Sequence, residues 1–343
     1  SGSSPDHRPV VADLVLRPTF PEAEVVKLRD RGIDGLKSAK ENPQSVISAY
    51  FARKLFGEHP FARSATGTET TLADITQADV AAHWAAQLGG DRLIIAVGGD
   101  IDLAVTESSV STLFGGLPKA SAPLPVLTPA PRVAGRHVLL VDAPDAVQTY
   151  FWLGNVGIDQ RFEPDAAFDV VRTAFGGRFT SMLNSELRIK SGLTYGARLT
   201  VERLDVPGRM AITSFTQTEK TKDAVDLAIA TLARLHKDRL TADVVKSAKA
   251  YLRGQLPPTL ETAHAMTEAI AELVRYGEPQ SKLSEYFATL DKVTPETAAA
   301  VIDSAIPKPE DLLIVLIGRA KDIGEYAKTL GPVETRPITD PGF

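Results

Sequence analysis

The sequence contains no cysteine, which removes disulfides, cysteine-based zinc sites and a thiol nucleophile from consideration. No apolar run approaches the roughly 18 residues that a membrane-spanning helix requires. Lysine and arginine form no block and the formal net charge is -5, so a surface that tracks nucleic-acid phosphates is not expected. The six histidines, His7, His59, His83, His137, His236 and His264, never recur at i and i+4, the spacing that puts two imidazoles on one helical face for zinc. Also missing are G-x-S-x-G, the Walker loop and G-x-G-x-x-G, which sets aside the common serine-hydrolase, nucleotide and dinucleotide readings.

What is present is a chain of 343 residues, 43% of them hydrophobic, long enough for two cores of ordinary size. It also carries an internal repeat. "LADITQADVAAHWAAQLGGDRLIIAVGGDI", from Leu72, parallels "LDKVTPETAAAVIDSAIPKPEDLLIVLIGRAKDI", from Leu290, as a capped helix, a polar turn and an apolar strand, with Thr76 facing Thr294. Upstream, the stretch from Phe20 lies against that from Leu240, and "LFGEHP" against "RYGEPQ", at the same offset of about 218 residues. A register held over three blocks points to duplication. By that offset the first copy is expected to begin about 80 residues before Ser1, with its sheet strands upstream.

"LFGEH", Leu55 to His59, is close to the H-x-x-E-H of inverted zinc peptidases, with leucine where the first histidine would stand. The second copy has no ligand at the matching place, and Gly57 followed by Pro60 is how a helix ends. The segment is therefore read as a helix terminus.

Periodicity predicts helices over about 22–41, 44–56 and 77–88, the last capped by Thr76, a buried strand from Arg92 to Val97, and a helix from Leu103 to Phe114. Residues 116–132 are rich in proline and small residues and read as a linker. Beyond it come strands "RHVLLVDA" and "VQTYFWLGN", helices Ala167–Ala174 and Phe179–Lys190, and strands "LTYGARLTVER" and "GRMAITSFT". Helices over about 220–236, 241–256, 261–275, 281–290 and 295–305 precede a last strand, "DLLIVLIG". This order predicts an α+β fold, two repeated sandwiches of mostly antiparallel sheet with helices packed on it. The expected division is 1–115 for the end of the first repeat, 116–132 for the linker, 133–330 for the second repeat and 331–343 for a tail.

The stretch richest in chemistry is "FGGRFTSMLNSELRIKSGLTYGARL", from Phe175. Taken residue by residue it is ordinary: arginine near a helix C-terminus suits the macrodipole, and tyrosine suits a strand. The pattern Gly176, Gly177, Ser181, Leu183, Leu187, Arg188, Gly192, Leu193, Tyr195, however, resembles the second-domain signature of the pitrilysin and insulinase-type zinc metallopeptidases, which include the mitochondrial processing peptidases. "GEHPF" and "IAVGGDI" look like that family's first-domain markers.

The resemblance implies a half-shell of a closed peptidase chamber, in which Arg188 and Tyr195 bind the substrate backbone and stabilise the oxyanion, with Gly176 and Gly177 at the substrate. It places the third zinc ligand of the family, a glutamate, at Gly35, which has no donor atom. The neighbouring Asp34 would point about 100° away on a helix. The chain is thus expected to bind no metal, and to act with a homologous zinc-bearing subunit, as a heterodimer cleaving peptides, with no nucleic-acid partner and no membrane span. A periplasmic location goes with the free-standing bacterial members, a cytoplasmic or matrix-like one with others. Two alternatives remain open: a non-enzymatic structural or peptide-binding homologue, and a self-sufficient zinc peptidase whose H-x-x-E-H lies outside this chain.

Overall fold

The computed structural model describes residues 8–341. They fall into two compact units that the chain enters more than once. One takes in the stretch up to Asp34, then Glu69–Val126 and Thr259–Pro279; the other takes in Gly35–Thr68, Leu127–Pro258 and everything from Gln280 on.

The larger unit is built on six strands: β1 His137–Asp142, β2 Gln148–Val156, β3 Arg198–Val201, β4 Arg209–Gln217, β5 Leu313–Gly318 and β6 Val333–Pro337. Their order across the sheet is β3-β4-β2-β5-β1-β6. The β3/β4, β4/β2 and β2/β5 pairs are antiparallel, and β5/β1 and β1/β6 are parallel. Both faces are covered. On one, Ile47, Tyr50 and Phe51 of the Pro43–Phe56 helix pack on Leu139, Val141, Val315 and Ile317; on the other, Phe168, Val171, Val225 and Val301 from helices pack on Val138, Leu140, Ile314 and Leu316. A strand buried on both sides needs apolar residues at every position rather than at alternate ones. The unbroken "LIVLIG" of β5 satisfies this, and every residue in it is buried.

The expected α+β class with a mostly antiparallel sheet is therefore what this unit shows. Helices Glu22–Ala39, Pro43–Phe56, Gln77–Gln87, Leu103–Phe114 and Pro295–Ala305 lie where periodicity puts them. The two repeat threonines also behave alike: Thr76 and Thr294 each cap a helix through a full capping box. Within 331–343, expected as a tail, Val333–Pro337 forms the edge strand β6, and the Tyr50 hydroxyl donates to the Ile338 carbonyl at 3.0 Å.

The smaller unit is helical among the described residues. Its segments are tied by contacts across the chain: the Trp84 indole donates to the Val15 carbonyl at 3.1 Å, its ring meets Phe20 edge-on, and Asp91 accepts from the Ala120 amide at 2.8 Å. Here one expectation fails. Residues 92–97, read as a buried strand, form none, and Ile94, Ile95 and Val97 are exposed. An extended segment becomes a strand only when another backbone takes up its amides and carbonyls, and no strand lies beside it among the described residues.

Candidate functional site

"LFGEH" is a helix end. The Pro43–Phe56 helix stops at Gly57, whose φ of 56° suits glycine. His59 then caps the short turn Pro60–Ala62: its Nδ1 accepts from the Phe61 amide at 3.1 Å, and its Nε2 lies 2.9 Å from the Thr128 carbonyl. With Nδ1 accepting, Nε2 carries the proton and donates, so neither nitrogen is left for a metal.

The predicted ligand position fares no better. Gly35 sits within the Glu22–Ala39 helix with open space where a side chain would go. Asp34 beside it is exposed. No group of three or more His, Asp or Glu among the described residues is placed to hold a metal ion. The residues present thus do not fit a zinc centre of the family's kind.

The second motif assembles differently. Ser181 caps the turn Met182–Asn184, which runs on as a π-helical segment, Ser185–Lys190. A second π-helical segment, Thr173–Gly177, carries the glycine pair. Such wide turns are rare and concentrate at functional sites. Gly192, at φ 64°, ends the helix, and the Leu193 and Thr194 amides fold back on the Leu187 carbonyl at 2.9 and 3.2 Å.

This reversal brings the predicted residues together. Arg188, Tyr195, Gly176 and Gly177 all line one open cleft beside β3. The Arg188 guanidinium lies 4.8 Å from the Phe179 ring centroid, and Tyr195 stacks on Phe215 with ring centroids 6.4 Å apart. Tyr195 is 78% exposed. Neither its hydroxyl nor the Arg188 guanidinium has an ion-pair or hydrogen-bond partner among the described residues, so both are free to donate to a ligand. The glycines have a packing reason as well: a Cβ on Gly176 would come within 2.4 Å of the Leu199 amide nitrogen, and one on Gly177 within 3.0 Å of the Arg172 carbonyl.

Side chains that the motif did not single out hold the Tyr195 loop. Asn184 Oδ1 accepts from the Ala197 amide at 2.9 Å, the Ser214 hydroxyl donates to the Gly196 carbonyl at 2.8 Å, and the Thr216 hydroxyl donates to the Leu193 carbonyl at 2.7 Å. All three residues are buried. Polar residues inside apolar strands such as "ITSFT" are the sequence signal for them, because a buried hydroxyl needs a partner. A second cleft adjoins the first: Tyr195, Gly196 and Arg198 line both, and Tyr150, Trp152 and Phe215 line the second. Tyr150 and Phe215 stack with centroids 5.4 Å apart.

Comparison with known proteins identifies the family. Residues 74–252 match the family model described as the peptidase M16 inactive domain. An uncharacterised zinc protease of Mycobacterium tuberculosis is 25% identical over 294 residues, covering 85% of this chain and 67% of that protein. Among solved structures, a peptidase M16 inactive domain from Pseudomonas fluorescens superposes with a TM-score of 0.84 at 24% identity, over 91% of this chain and 74% of that one. The periplasmic protease PqqL of Escherichia coli gives 0.70 at 14% identity, over 92% of this chain and 35% of that one.

Proposed function

Since this chain belongs to the peptidase M16 family through its inactive domain, we propose that it is the zinc-free subunit of a two-chain metallopeptidase. In this reading Arg188 and Tyr195 bind the substrate backbone and stabilise the oxyanion. A homologous partner supplies the zinc and the general base, and so the chemistry that activates water. The carrying observation is the convergence of Arg188 and Tyr195 on one cleft, both exposed and both uncommitted.

The division of labour follows from the residues. A guanidinium and a phenol are donors only toward a carbonyl oxygen, and they strengthen their hold as negative charge grows on it. Such donors act well only if held still before the reaction. The bonds from Asn184, Ser214 and Thr216 pin the loop on either side of Tyr195, and Phe179 offers its ring face to Arg188. No helix among the described residues is long and apolar enough to cross a membrane. A periplasmic setting is proposed by analogy with the E. coli neighbour.

The test is reconstitution with the zinc-bearing homologue and measurement of peptide cleavage. Arg188→Ala and Tyr195→Phe are each expected to lower kcat by about 10²-fold, the cost of one oxyanion donor, with zinc content unchanged. Full activity in both variants would favour a non-enzymatic subunit instead. Zinc and activity in this chain alone would return the reading to a self-sufficient enzyme.

A further inference from the structure

The cleft that holds Arg188 and Tyr195 is lined by three more arginines, Arg172, Arg178 and Arg198, and by no aspartate or glutamate. That is unexpected in a chain whose net charge is -5. Arginine stays protonated in proteins, so four like charges on one concave wall repel each other unless something anionic joins them.

Three carboxylates close in sequence to the lining residues already have partners. Glu186, on the same turn as Arg188, binds Lys190 and Arg234, each at 2.8 Å. Those two cations hold its carboxyl below the usual range, led by the Lys190 hydrogen bond. Glu202 pairs with Arg209 at 2.8 Å. Asp169, whose charge reaches Arg172, takes the Tyr286 hydroxyl at 2.8 Å and faces Arg203 at 3.7 Å. Each of the three has a partner of its own, and only Asp169 also acts on a lining arginine, Arg172.

Arg178 is partly anchored at the cleft wall. Its Nη1 donates to the Ser247 hydroxyl at 2.9 Å, while its Nε is enclosed and has no acceptor. The enclosed Nε is out of a ligand's reach, so Arg178 can offer a carboxylate only its outer nitrogens.

We propose that the cleft selects acidic peptides, with Arg172, Arg178 and Arg198 receiving substrate carboxylates on the Arg188 side of the reacting bond. This rests on the reading of Arg188 and Tyr195 as ligands of a peptide backbone. Guanidinium groups suit the task because their planar fork meets a carboxylate with two parallel hydrogen bonds, and a concave wall of one sign concentrates the opposite charge near it. A peptide fits better than a nucleic acid. The rest of the molecule repels a long polyanion, and the cleft continues past Tyr195 and Arg198 into the aromatic groove of Tyr150, Trp152 and Phe215, which suits a chain with mixed side chains.

The experiment measures binding by fluorescence anisotropy, using two labelled peptides of equal length that differ only in carrying glutamate or glutamine at the same positions. The intact chain is expected to bind the glutamate peptide about tenfold more tightly, a difference typical of a charge-assisted hydrogen bond. That preference should shrink with added salt and fall to near parity in an Arg178→Gln/Arg198→Gln double variant. If the double variant melts early, Arg172→Gln at its exposed site is used instead. Equal binding of the two peptides, or a preference that survives loss of the arginines, overturns the proposal. So does a thymidine oligonucleotide or inorganic phosphate that competes as well as the glutamate peptide. The two readings separate cleanly. Lost turnover in Arg188→Ala without any acid preference leaves the catalytic role standing and removes this one. An acid preference with turnover indifferent to Arg188 and Tyr195 keeps the cleft and removes their catalytic role.

Discussion

"RLIIAV" at residues 92–97 and "LIVLIG" at Leu313–Gly318 occupy matching places in the repeat, each after a helix capped by a threonine. One is the centre of a sheet, hydrogen-bonded to β1 and β2 and buried throughout. The other is not a strand, and Ile94, Ile95 and Val97 face solvent at 47%, 38% and 43% exposure. Their apolar content is nearly the same. What differs is a neighbouring backbone: β5 has one on each side, whereas residues 92–97 have none among the described residues. Apolar patterning thus says that a segment prefers burial, and pairing decides whether it obtains it.

The comparison breaks most readily at the core. Ile314→Ala empties a fully buried site and should cost about 2–5 kcal/mol, lost contact plus cavity. Ile95→Ala at the matching place should stay within about 0.5 kcal/mol. Urea melts of the two variants check this, and a large loss at Ile95 would mean that the segment is buried in solution.

Two glycines offer the next contrast. Gly176→Ala drives a methyl into the Leu199 backbone, 2.4 Å away, which a neighbouring main chain cannot easily yield to. A cost of about 1–3 kcal/mol is expected, as for overpacking, with loss of any peptide binding at the cleft. Gly35→Ala meets open space inside a helix and should stabilise by about 0.5–1 kcal/mol. Thermal melting of both variants gives opposite signs if the close approach at Gly176 is what excludes a side chain there.

The smallest effect tests what the two copies share. Thr76→Ala and Thr294→Ala each remove one capping box, and each should cost about 1 kcal/mol. Parity between them, read from the same melts, would show that caps act locally whatever the helix packs against. A much larger loss at Thr294 would show that the cap is amplified by the core beneath it.

Several features were legible before any coordinates. The helices came from 3.6-residue periodicity with threonine caps, β5 from its unbroken apolar run, and the α+β class from strands grouped apart from helices. The helix over Ala320–Leu330 escaped the reading, as did β6, whose "VETRP" is polar because it forms an edge with only one neighbour. The π-helical turns at Thr173–Gly177 and Ser185–Lys190 have no sequence signature, since they depend on how the turns fit the sheet.

The cleft divides in the same way. Gly176, Gly177, Arg188 and Tyr195 could be named from the sequence because a motif is a string of residues. Arg172, Arg178 and Arg198 could not, since they are scattered along the chain and meet only where the reversal after Gly192 lays the Tyr195 loop beside the helix that carries Arg188. The sequence by itself determined helix ends, apolar faces and the string of motif residues, all of which depend on the chemistry of residues close together in the chain. Only the tertiary structure decided which apolar segment became a strand, which polar side chains pinned Tyr195, and which arginines shared a cleft without a carboxylate. Pairing, burial and charge each depend on neighbours that the chain supplies from far away.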